Sequence, residues 1–246
     1  MEAKDRLILA LDVDTLEEAQ RLVEATSGYV GVYKVGMQLY NSVGPSIVKW
    51  LHDRGEKVFV DLKFHDIPNT VAQAGRVMTR LGAYIFNVHA AGGKKMMAET
   101  ALKSKALAEE LGLERPKVIA VTLLTSLDGA TVREEVGLSG EVVDNVVRYA
   151  VLAKEAGLDG VVASPQEVKA IREACGEEFC LVIPGIRPAW ATTDDQKRIM
   201  TPKEAIIQGA TYIVVGRPIA KAANPSEAAG LVVKEIEDGL KEKGVI

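Results

Sequence analysis

The chain has 246 residues, of which 48% are hydrophobic and 26% are charged. This length suits one large domain or two small ones, and the apolar content is sufficient for a sizeable core. The formal net charge is −4, with both signs mixed along the chain. This balance gives no indication of a nucleic-acid or membrane partner.

The amino terminus and the cysteines indicate the compartment. The chain begins MEAKDRLILALDV, where an early acidic residue and a strand-like run do not fit a signal peptide. No apolar run approaches the length needed to cross a bilayer. Cys175 and Cys180 lack metal-ligand spacing and are predicted to be buried thiols in a reducing compartment. We therefore expect a cytoplasmic protein without a membrane partner.

Short β-rich runs alternate with longer helical patterns along the whole chain. The predicted strands are residues 6–13, 30–35, 57–63, 83–89, 117–124, 160–164, 180–185 and 212–216. The first helical pattern, TLEEAQRLVEA, follows Asp14, which we interpret as its N-cap. The others are PSIVKWLHDRG, TVAQAGRVMTRLG, KKMMAETALKSKALAEELG, EVVDNVVRYAVLAKEAG, QEVKAIREACG, PKEAIIQGA and PSEAAGLVVKEIEDGLKEKG. No linker divides these units, so we expect a single domain over residues 1–246.

Eight strand–helix repeats in one domain favour a closed (β/α)8 TIM barrel over an open doubly wound sheet. No GxGxxG follows the first strand, which weakens the dinucleotide-binding alternative. Two connections are long, residues 125–140 after strand five and residues 187–200 after strand seven. Both follow the carboxyl ends of strands, where active sites of this barrel lie, so we expect lid loops.

Charged residues end three neighbouring strands on the face that points into the barrel, because side chains alternate between the two faces of a strand. The expected outward residues are Leu7, Leu9, Leu11, Val13, Val58, Val60, Leu62 and Phe64. The expected inward residues are Ile8, Ala10, Asp12, Val30, Val32, Lys34, Phe59, Asp61, Lys63 and His65. Asp12, Lys34, Asp61 and Lys63 are therefore predicted to converge on the mouth of the barrel.

Two interpretations of this charged cluster are open. It could be an interior ion-pair network that only satisfies itself, or it could be a catalytic site. A buried network of this size is costly in free energy and is rarely kept for stability alone, which favours the site.

The stretch DLKFHDIPNTV, residues 61–71, resembles the signature of the orotidine 5′-monophosphate decarboxylase family, Asp-x-Lys-x-x-Asp-x-Pro-x-Thr. The resemblance extends to LALDV in strand one, YKVG in strand two, VTLLTS in strand five, IPGIRP in strand seven and VVGRPI in strand eight. It implies a barrel enzyme that decarboxylates orotidylate to uridylate, the last step of pyrimidine nucleotide synthesis, without a metal or a cofactor.

The resemblance also implies roles for particular residues. Lys63 would donate a proton to C6 of the pyrimidine, while Lys34, Asp61 and Asp66 would complete an alternating Lys-Asp-Lys-Asp array. Asp66 and Thr70 would reach into the site of the neighbouring subunit of a homodimer. The expected substrate contacts are Asp12 at the ribose, Thr125 at the base, Arg187, Gln196, Gly216 and Arg217 at the phosphate, and also Lys34, Asp61, Lys63, Asp66, Ile67, Thr70 and Pro184. No role is assigned to His89.

The expected chemistry suits these residue types. Loss of CO2 from C6 leaves a carbanion in the plane of the ring, which the π-system of the ring does not delocalise. The site must therefore supply fixed positive charge at that carbon and then a proton. An ammonium group held between two carboxylates supplies both, since each carboxylate favours its charged form.

Two other functions remain open. Barrel enzymes acting on sugar phosphates, such as 3-keto-gulonate-6-phosphate decarboxylase and hexulose-phosphate synthase, share Asp-x-Lys-x-x-Asp but are similar to metal enzymes. They have an acidic residue where this chain has Lys34, and a lysine there would repel Mg²⁺. A non-catalytic nucleotide-binding barrel gives no reason to place Lys63 beside two carboxylates. The sequence thus favours orotidylate as the substrate.

Overall fold

A computed structural model of the chain describes residues 1–191 and 200–246. Within these ranges, eight parallel strands form a closed barrel in which each strand pairs with the next and the last pairs with the first. The strands are β1 (Leu7–Ala10), β2 (Val32–Gly36), β3 (Val58–Phe64), β4 (Ile85–His89), β5 (Lys117–Val121), β6 (Gly160–Val162), β7 (Cys180–Ile183) and β8 (Tyr212–Val215). The (β/α)8 barrel predicted from the sequence is confirmed, although most strands are shorter than their apolar runs.

Helices follow the strands and cover the outside of the barrel. They are α1 (Leu16–Thr26), α2 (Met37–Val43), α3 (Ser46–Asp53), α4 (Pro68–Arg80), α5 (Gly93–Leu111), α6 (Gly129–Glu134), α7 (Val142–Glu155), α8 (Val168–Cys175), α9 (Pro202–Gln208), α10 (Arg217–Ala220) and α11 (Pro225–Glu242). Each predicted helical pattern forms a helix. In the described part of the chain, no helix is long and apolar enough to span a bilayer.

Three short helices, α2, α6 and α10, were not predicted. They have 7, 6 and 4 residues, too few to display a helical period in the sequence. Helix α6 corrects the expectation that residues 125–140 form a loop throughout. It begins after Asp128, whose side chain accepts a hydrogen bond from Thr131 N at 2.9 Å.

The start of α1 also differs from the prediction, because its N-cap is Thr15 and not Asp14. The Thr15 hydroxyl accepts a hydrogen bond from Glu18 N at 3.2 Å, and Glu18 Oε2 accepts one from Thr15 N at 3.2 Å. This reciprocal capping box satisfies two N–H groups at the helix end. Asp14 instead accepts a hydrogen bond from Gln38 Nε2 at 2.7 Å, which ties the loop after β1 to α2.

Strand side chains divide into two apolar clusters. The outer cluster, between strands and helices, includes Leu7, Leu9, Leu11, Val58 and Val60, and the inner cluster, inside the barrel, includes Ile8, Ala10, Val32 and Phe59. The alternation predicted for β1 and β3 is thus confirmed. The inward placement predicted for Val30 is wrong, because Val30 belongs to the outer cluster. It precedes β2, and its N–H donates to Thr26 O at 3.1 Å, so the alternation of the strand does not extend to it.

The connection after β7 is described only at its two ends. Ile186 and Met200 form an isolated parallel bridge, and Arg187 N donates to Met200 O at 3.0 Å. The two described ends of this connection therefore lie side by side.

Strand β6 has no room for a side chain at its first residue, Gly160. A Cβ there would lie 2.0 Å from the carbonyl oxygen of Cys180 on β7. We expect Gly160→Ala to lower the free energy of unfolding by about 3 kcal/mol, because the two backbones must separate. Chemical denaturation followed by circular dichroism measures this change.

Gly28→Ala is the matched control for this prediction. A Cβ at Gly28 would have no neighbouring atom within 4 Å, so its stability should stay within about 0.5 kcal/mol of the wild type. Equal unfolding free energies for the two variants would contradict the close approach of β6 and β7.

Candidate active site

The carboxyl ends of β1, β2 and β3 bring four charged side chains together. Lys34 Nζ lies 3.1 Å from Asp12 Oδ1 and 3.5 Å from Asp61 Oδ2. Lys63 Nζ lies 2.7 Å from Asp61 Oδ1. The convergence predicted from strand alternation therefore exists as one chain of opposite charges, which runs from Asp12 through Lys34 and Asp61 to Lys63.

Asp61 is the enclosed carboxylate of this chain of charges. Its side chain is 13% exposed, whereas that of Asp12 is 55% exposed. Burial alone would raise the pKa of Asp61, but Lys34 and Lys63, together with hydrogen bonds from Lys63 and Asn87, outweigh burial and lower this pKa. Asp61 is therefore ionised at neutral pH and holds an ammonium group on each side.

Two backbone features allow this packing of charges. Gly36, the last residue of β2, leaves space that a side chain would occupy, since a Cβ there would lie 2.9 Å from Lys34 Nζ. Lys63 has a φ of 52°, and it is the one non-glycine residue with positive φ in the described ranges. That conformation costs a residue with a side chain roughly 1–2 kcal/mol. Such strain is found most often at functional sites.

Asn87 on β4 is a site residue that we did not single out from the sequence. It is fully buried, and its Nδ2 donates a hydrogen bond to Asp61 Oδ1 at 2.7 Å. Its Oδ1 accepts one from Lys63 N at 2.8 Å. The sequence does contain a signal for Asn87, which is a polar residue among apolar ones in the strand IFNVH. The alternation that places Ile85 inside the barrel also places Asn87 there.

A cavity of ≈ 190 Å³ opens beside these charges. Strands β2 and β3 contribute Lys34, Phe59, Asp61 and Lys63 to its wall. The other side of the barrel contributes a mostly apolar wall, formed by Val121, Leu123, Leu124, Thr125, Val162, Val182, Pro184 and Val214. Thr125 and Pro184, both expected to bind substrate, thus line the same cavity as the lysines.

Three of the four residues expected at a phosphate lie in the described ranges. Gly216 follows β8, and a Cβ there would lie 3.9 Å from Asp12 Oδ2. Arg217 begins α10 immediately afterwards. Arg187 is buried, and its Nη1 donates to the carbonyl of the preceding residue at 3.2 Å. Gln196, the fourth, lies outside the described residues.

Asp66, Ile67 and Thr70 lie outside this cavity, exposed at the start of α4. Asp66 Oδ1 accepts a hydrogen bond from Ile67 N at 2.6 Å. No ion pair found within residues 1–191 and 200–246 joins Asp66 to Lys63. Within one chain, the expected alternating array therefore extends as far as Lys63 and does not include Asp66.

The arrangement supplies fixed positive charge and a transferable proton at the wall of a small cavity. Two ammonium groups flank one ionised carboxylate, and Lys63 is close enough to the cavity to meet a bound molecule. His89, at the end of β4, packs near His65 with ring centroids 5.4 Å apart. Burial lowers the pKa of His89, and His65 and Lys63 lower it further, which favours a neutral imidazole.

Among the described residues, no group of three or more His, Cys, Asp or Glu residues is placed to hold a metal ion. The fold and the charges define a (β/α)8 barrel protein with a lysine–aspartate cluster at the carboxyl ends of its strands, the end at which barrel enzymes act.

Comparison with known proteins identifies the family. Residues 5–232 match the model of the "Orotidine 5′-phosphate decarboxylase / HUMPS family". The protein named orotidine 5′-phosphate decarboxylase from Syntrophomonas wolfei is 54% identical to this chain, and the match covers 97% of this chain and 100% of that protein. The protein of the same name from Moorella thermoacetica is 53% identical, and the match covers 96% of this chain and 94% of that protein. The crystal structure of orotidine 5′-phosphate decarboxylase from Lactobacillus acidophilus is similar with a TM-score of 0.83 at 38% identity, covering 94% of this chain and 98% of that one. The chain therefore belongs to the orotidine 5′-phosphate decarboxylase / HUMPS family.

Proposed function

We propose that this protein decarboxylates orotidine 5′-monophosphate to uridine 5′-monophosphate, the final step of de novo pyrimidine synthesis. The observation that carries the proposal is Asp61 held between Lys34 and Lys63 at the wall of the cavity. The enzyme, an orotidine-5′-phosphate decarboxylase, works without a metal or a cofactor. Residues 1–246 act as one catalytic domain in the cytoplasm, where the buried thiols Cys175 and Cys180 stay reduced.

Lys63 is the proposed proton donor to C6 of the pyrimidine. Departure of CO2 leaves an electron pair in the ring plane at C6, so stabilisation has to come from positive charge fixed beside that atom. Asp61 holds the Lys63 ammonium group at 2.7 Å, next to the cavity. The proton passes from Lys63 to C6 as the carbanion forms, which completes uridylate.

The base, the ribose and the phosphate of the substrate bind to the other residues in and around the cavity. The base packs on the apolar wall beside Thr125 and Pro184, and Asp12 binds the ribose. The phosphate is bound by Arg187, Gln196, Gly216 and Arg217. Phosphate binding far from C6 then contributes free energy to ordering the site around the reacting carbon.

Lys34 argues against the sugar-phosphate branch of the family. Its Nζ lies 3.1 Å from Asp12 and 3.5 Å from Asp61, so an ammonium group occupies the space between the two carboxylates. A divalent cation bound by those carboxylates would meet this positive charge at close range. Metal-dependent chemistry on a sugar phosphate is therefore disfavoured.

We also propose that the active enzyme is a homodimer whose sites are shared across the interface. Asp66, Ile67 and Thr70 are exposed in the single chain, and the apolar side chain of Ile67 is 67% exposed. Burial of this segment against a second copy would cover Ile67 and bring Asp66 toward the partner's cavity. The fourth charge of the alternating array would then come from the neighbouring subunit.

Lys63→Ala should greatly reduce turnover without abolishing binding. We expect the loss of the proton donor to lower kcat by about 10³-fold. The variant should remain folded and should still bind uridylate, since the phosphate contacts and the apolar wall for the base do not involve Lys63. The decrease in orotidylate absorbance measures turnover, and calorimetry measures uridylate binding.

The wild type, assayed after exhaustive dialysis against EDTA, is the reference and should keep full activity. Near-wild-type turnover by Lys63→Ala would remove Lys63 as the donor. Activity lost in EDTA and restored by Mg²⁺ would favour the sugar-phosphate alternative. A wild type that binds uridylate but does not consume orotidylate would favour the non-catalytic nucleotide-binding barrel.

Mixing Lys63→Ala with Asp66→Ala tests the shared site. Each variant alone should be nearly inactive. In a mixed dimer with shared sites, one site carries both lesions and the other carries neither. Random mixing of equal amounts makes half the dimers mixed, so about a quarter of wild-type sites should reappear. Turnover of co-refolded or co-expressed mixtures measures this recovery.

If Asp66 acts within its own subunit, every site in the mixture keeps one lesion. The absence of recovery in a sample whose mixed dimers have been confirmed by mass spectrometry would therefore exclude the shared site.

A further inference from the structure

The backbone of Lys63 departs from the regular pairing of the barrel. The register between β3 and β4 shifts between Val60 and Phe64, and Lys63 lies inside this irregular stretch with a φ of 52°. The ladder of β3 and β4 therefore does not fix this residue as it fixes Phe59 and Val60, which pair with Ile85 and Phe86. Some other group has to hold the strained backbone in place.

The side chain of Asn87 supplies that group. Its Oδ1 accepts the hydrogen bond from Lys63 N at 2.8 Å, and its Nδ2 donates to Asp61 Oδ1 at 2.7 Å. The orientation of the amide is unambiguous, because a backbone N–H only donates and an ionised carboxylate only accepts. Asn87 is fully buried, so water does not compete for either bond.

The same two bonds also set the direction of the Asp61 carboxylate. Asp61 Oδ1 receives hydrogen bonds from both Asn87 Nδ2 and Lys63 Nζ, each at 2.7 Å, while Oδ2 lies 3.5 Å from Lys34 Nζ. Rotation of the carboxylate would break the bond from Asn87. Each oxygen is therefore kept facing a different lysine.

From this geometry we propose that Asn87 is a positioning residue for proton delivery. It orients Lys63 through two hydrogen bonds, one from the Lys63 backbone N–H and one to Asp61, the ion-pair partner of the Lys63 ammonium group. The proposal rests on the proposed function and adds a residue to it. Asn87 is absent from the residues that line the cavity, so it acts through Lys63 and Asp61 and not on the substrate. Misplacement of a catalytic group by about 1 Å can cost about 10²-fold in rate.

The first test is Asn87→Ala, which removes both hydrogen bonds. We expect kcat to fall by about 10²-fold while the dissociation constant of uridylate changes by less than about threefold. The pKa of Asp61, followed by NMR, should rise in this variant because one hydrogen bond that lowers it is lost. Thr79→Val is the control, since it removes a buried hydroxyl hydrogen bond to Gly75 O within α4 and Thr79 does not line the cavity, so this variant should keep wild-type kcat.

Asn87→Asp is the second test and serves if Asn87→Ala does not fold. It keeps the shape of the side chain and the acceptor for Lys63 N, but an ionised carboxyl does not donate to Asp61. We expect kcat to lie about 10²-fold below the wild type at pH values where the introduced carboxyl is ionised, and to recover partly where that carboxyl gains a proton and can donate to Asp61. The nearby titratable groups are Lys34 on β2, Asp61, Lys63 and His65 on and after β3, and His89 on β4.

Turnover within about threefold of the wild type in folded Asn87→Ala would overturn the proposal, as would a pH profile of kcat for Asn87→Asp that follows that of the wild type. A loss of uridylate affinity as large as the loss of kcat would do the same, because it would indicate general damage to the cavity. Failure of the proposed function is separate, since it appears as an inactive wild type. The change in the Asp61 pKa still tests the positioning role in that case.

Discussion

The ionised carboxylate of Asp61, enclosed between two ammonium groups, is the constraint on which the site depends. Burial of a carboxylate is costly unless charges and hydrogen bonds compensate for it. Lys34, Lys63 and Asn87 provide that compensation, each at a defined oxygen of Asp61. The same contacts fix both lysines beside the cavity. The contacts that offset the free-energy cost of burying the Asp61 carboxylate are therefore the same contacts that hold two ammonium groups beside the cavity.

The barrel makes this arrangement rigid. Asp61 and the lysines lie on or at the ends of neighbouring parallel strands, whose inward side chains below them pack into an apolar interior. At the opposite end of that interior, the hydroxyl groups of Tyr84 and Tyr212 lie 2.9 Å apart. Residues assigned to the base and the phosphate come from segments that follow β5, β7 and β8. In the proposed function, strands hold the reacting groups and the segments that follow them bind the substrate, a division typical of this fold.

Much of the site could be predicted because strand alternation is strictly local. A period of two was enough to place Asp12, Lys34, Asp61 and Lys63 at one mouth. It was not enough for Asn87, whose role depends on the broken register between β3 and β4 and on the positive φ of Lys63. Local pattern also failed for Val30, which precedes its strand, and for the N-cap of α1, where Thr15 and Glu18 form a reciprocal box. The role of Asn87 depends on backbone geometry and on contacts with residues 24 and 26 positions away in the chain. The N-cap of α1 is a local feature, and the pattern Thr-x-x-Glu in the sequence is its signal. In the proposed homodimer, the position of Asp66 depends on a second chain.

The pKa of Asp61 in the ligand-free enzyme tests this account most directly. Carbon-13 NMR of aspartate-labelled protein can follow its carboxyl signal, which the Asp61→Asn variant assigns. Two flanking ammonium groups predict a pKa below the ordinary value of 3.8, so that Asp61 is still more than half ionised at that pH. In Lys63→Ala the pKa should rise, since one of the two positive charges is gone. A wild-type pKa at or above 3.8, or one that does not respond to the loss of Lys63, would contradict the central role given to this carboxylate.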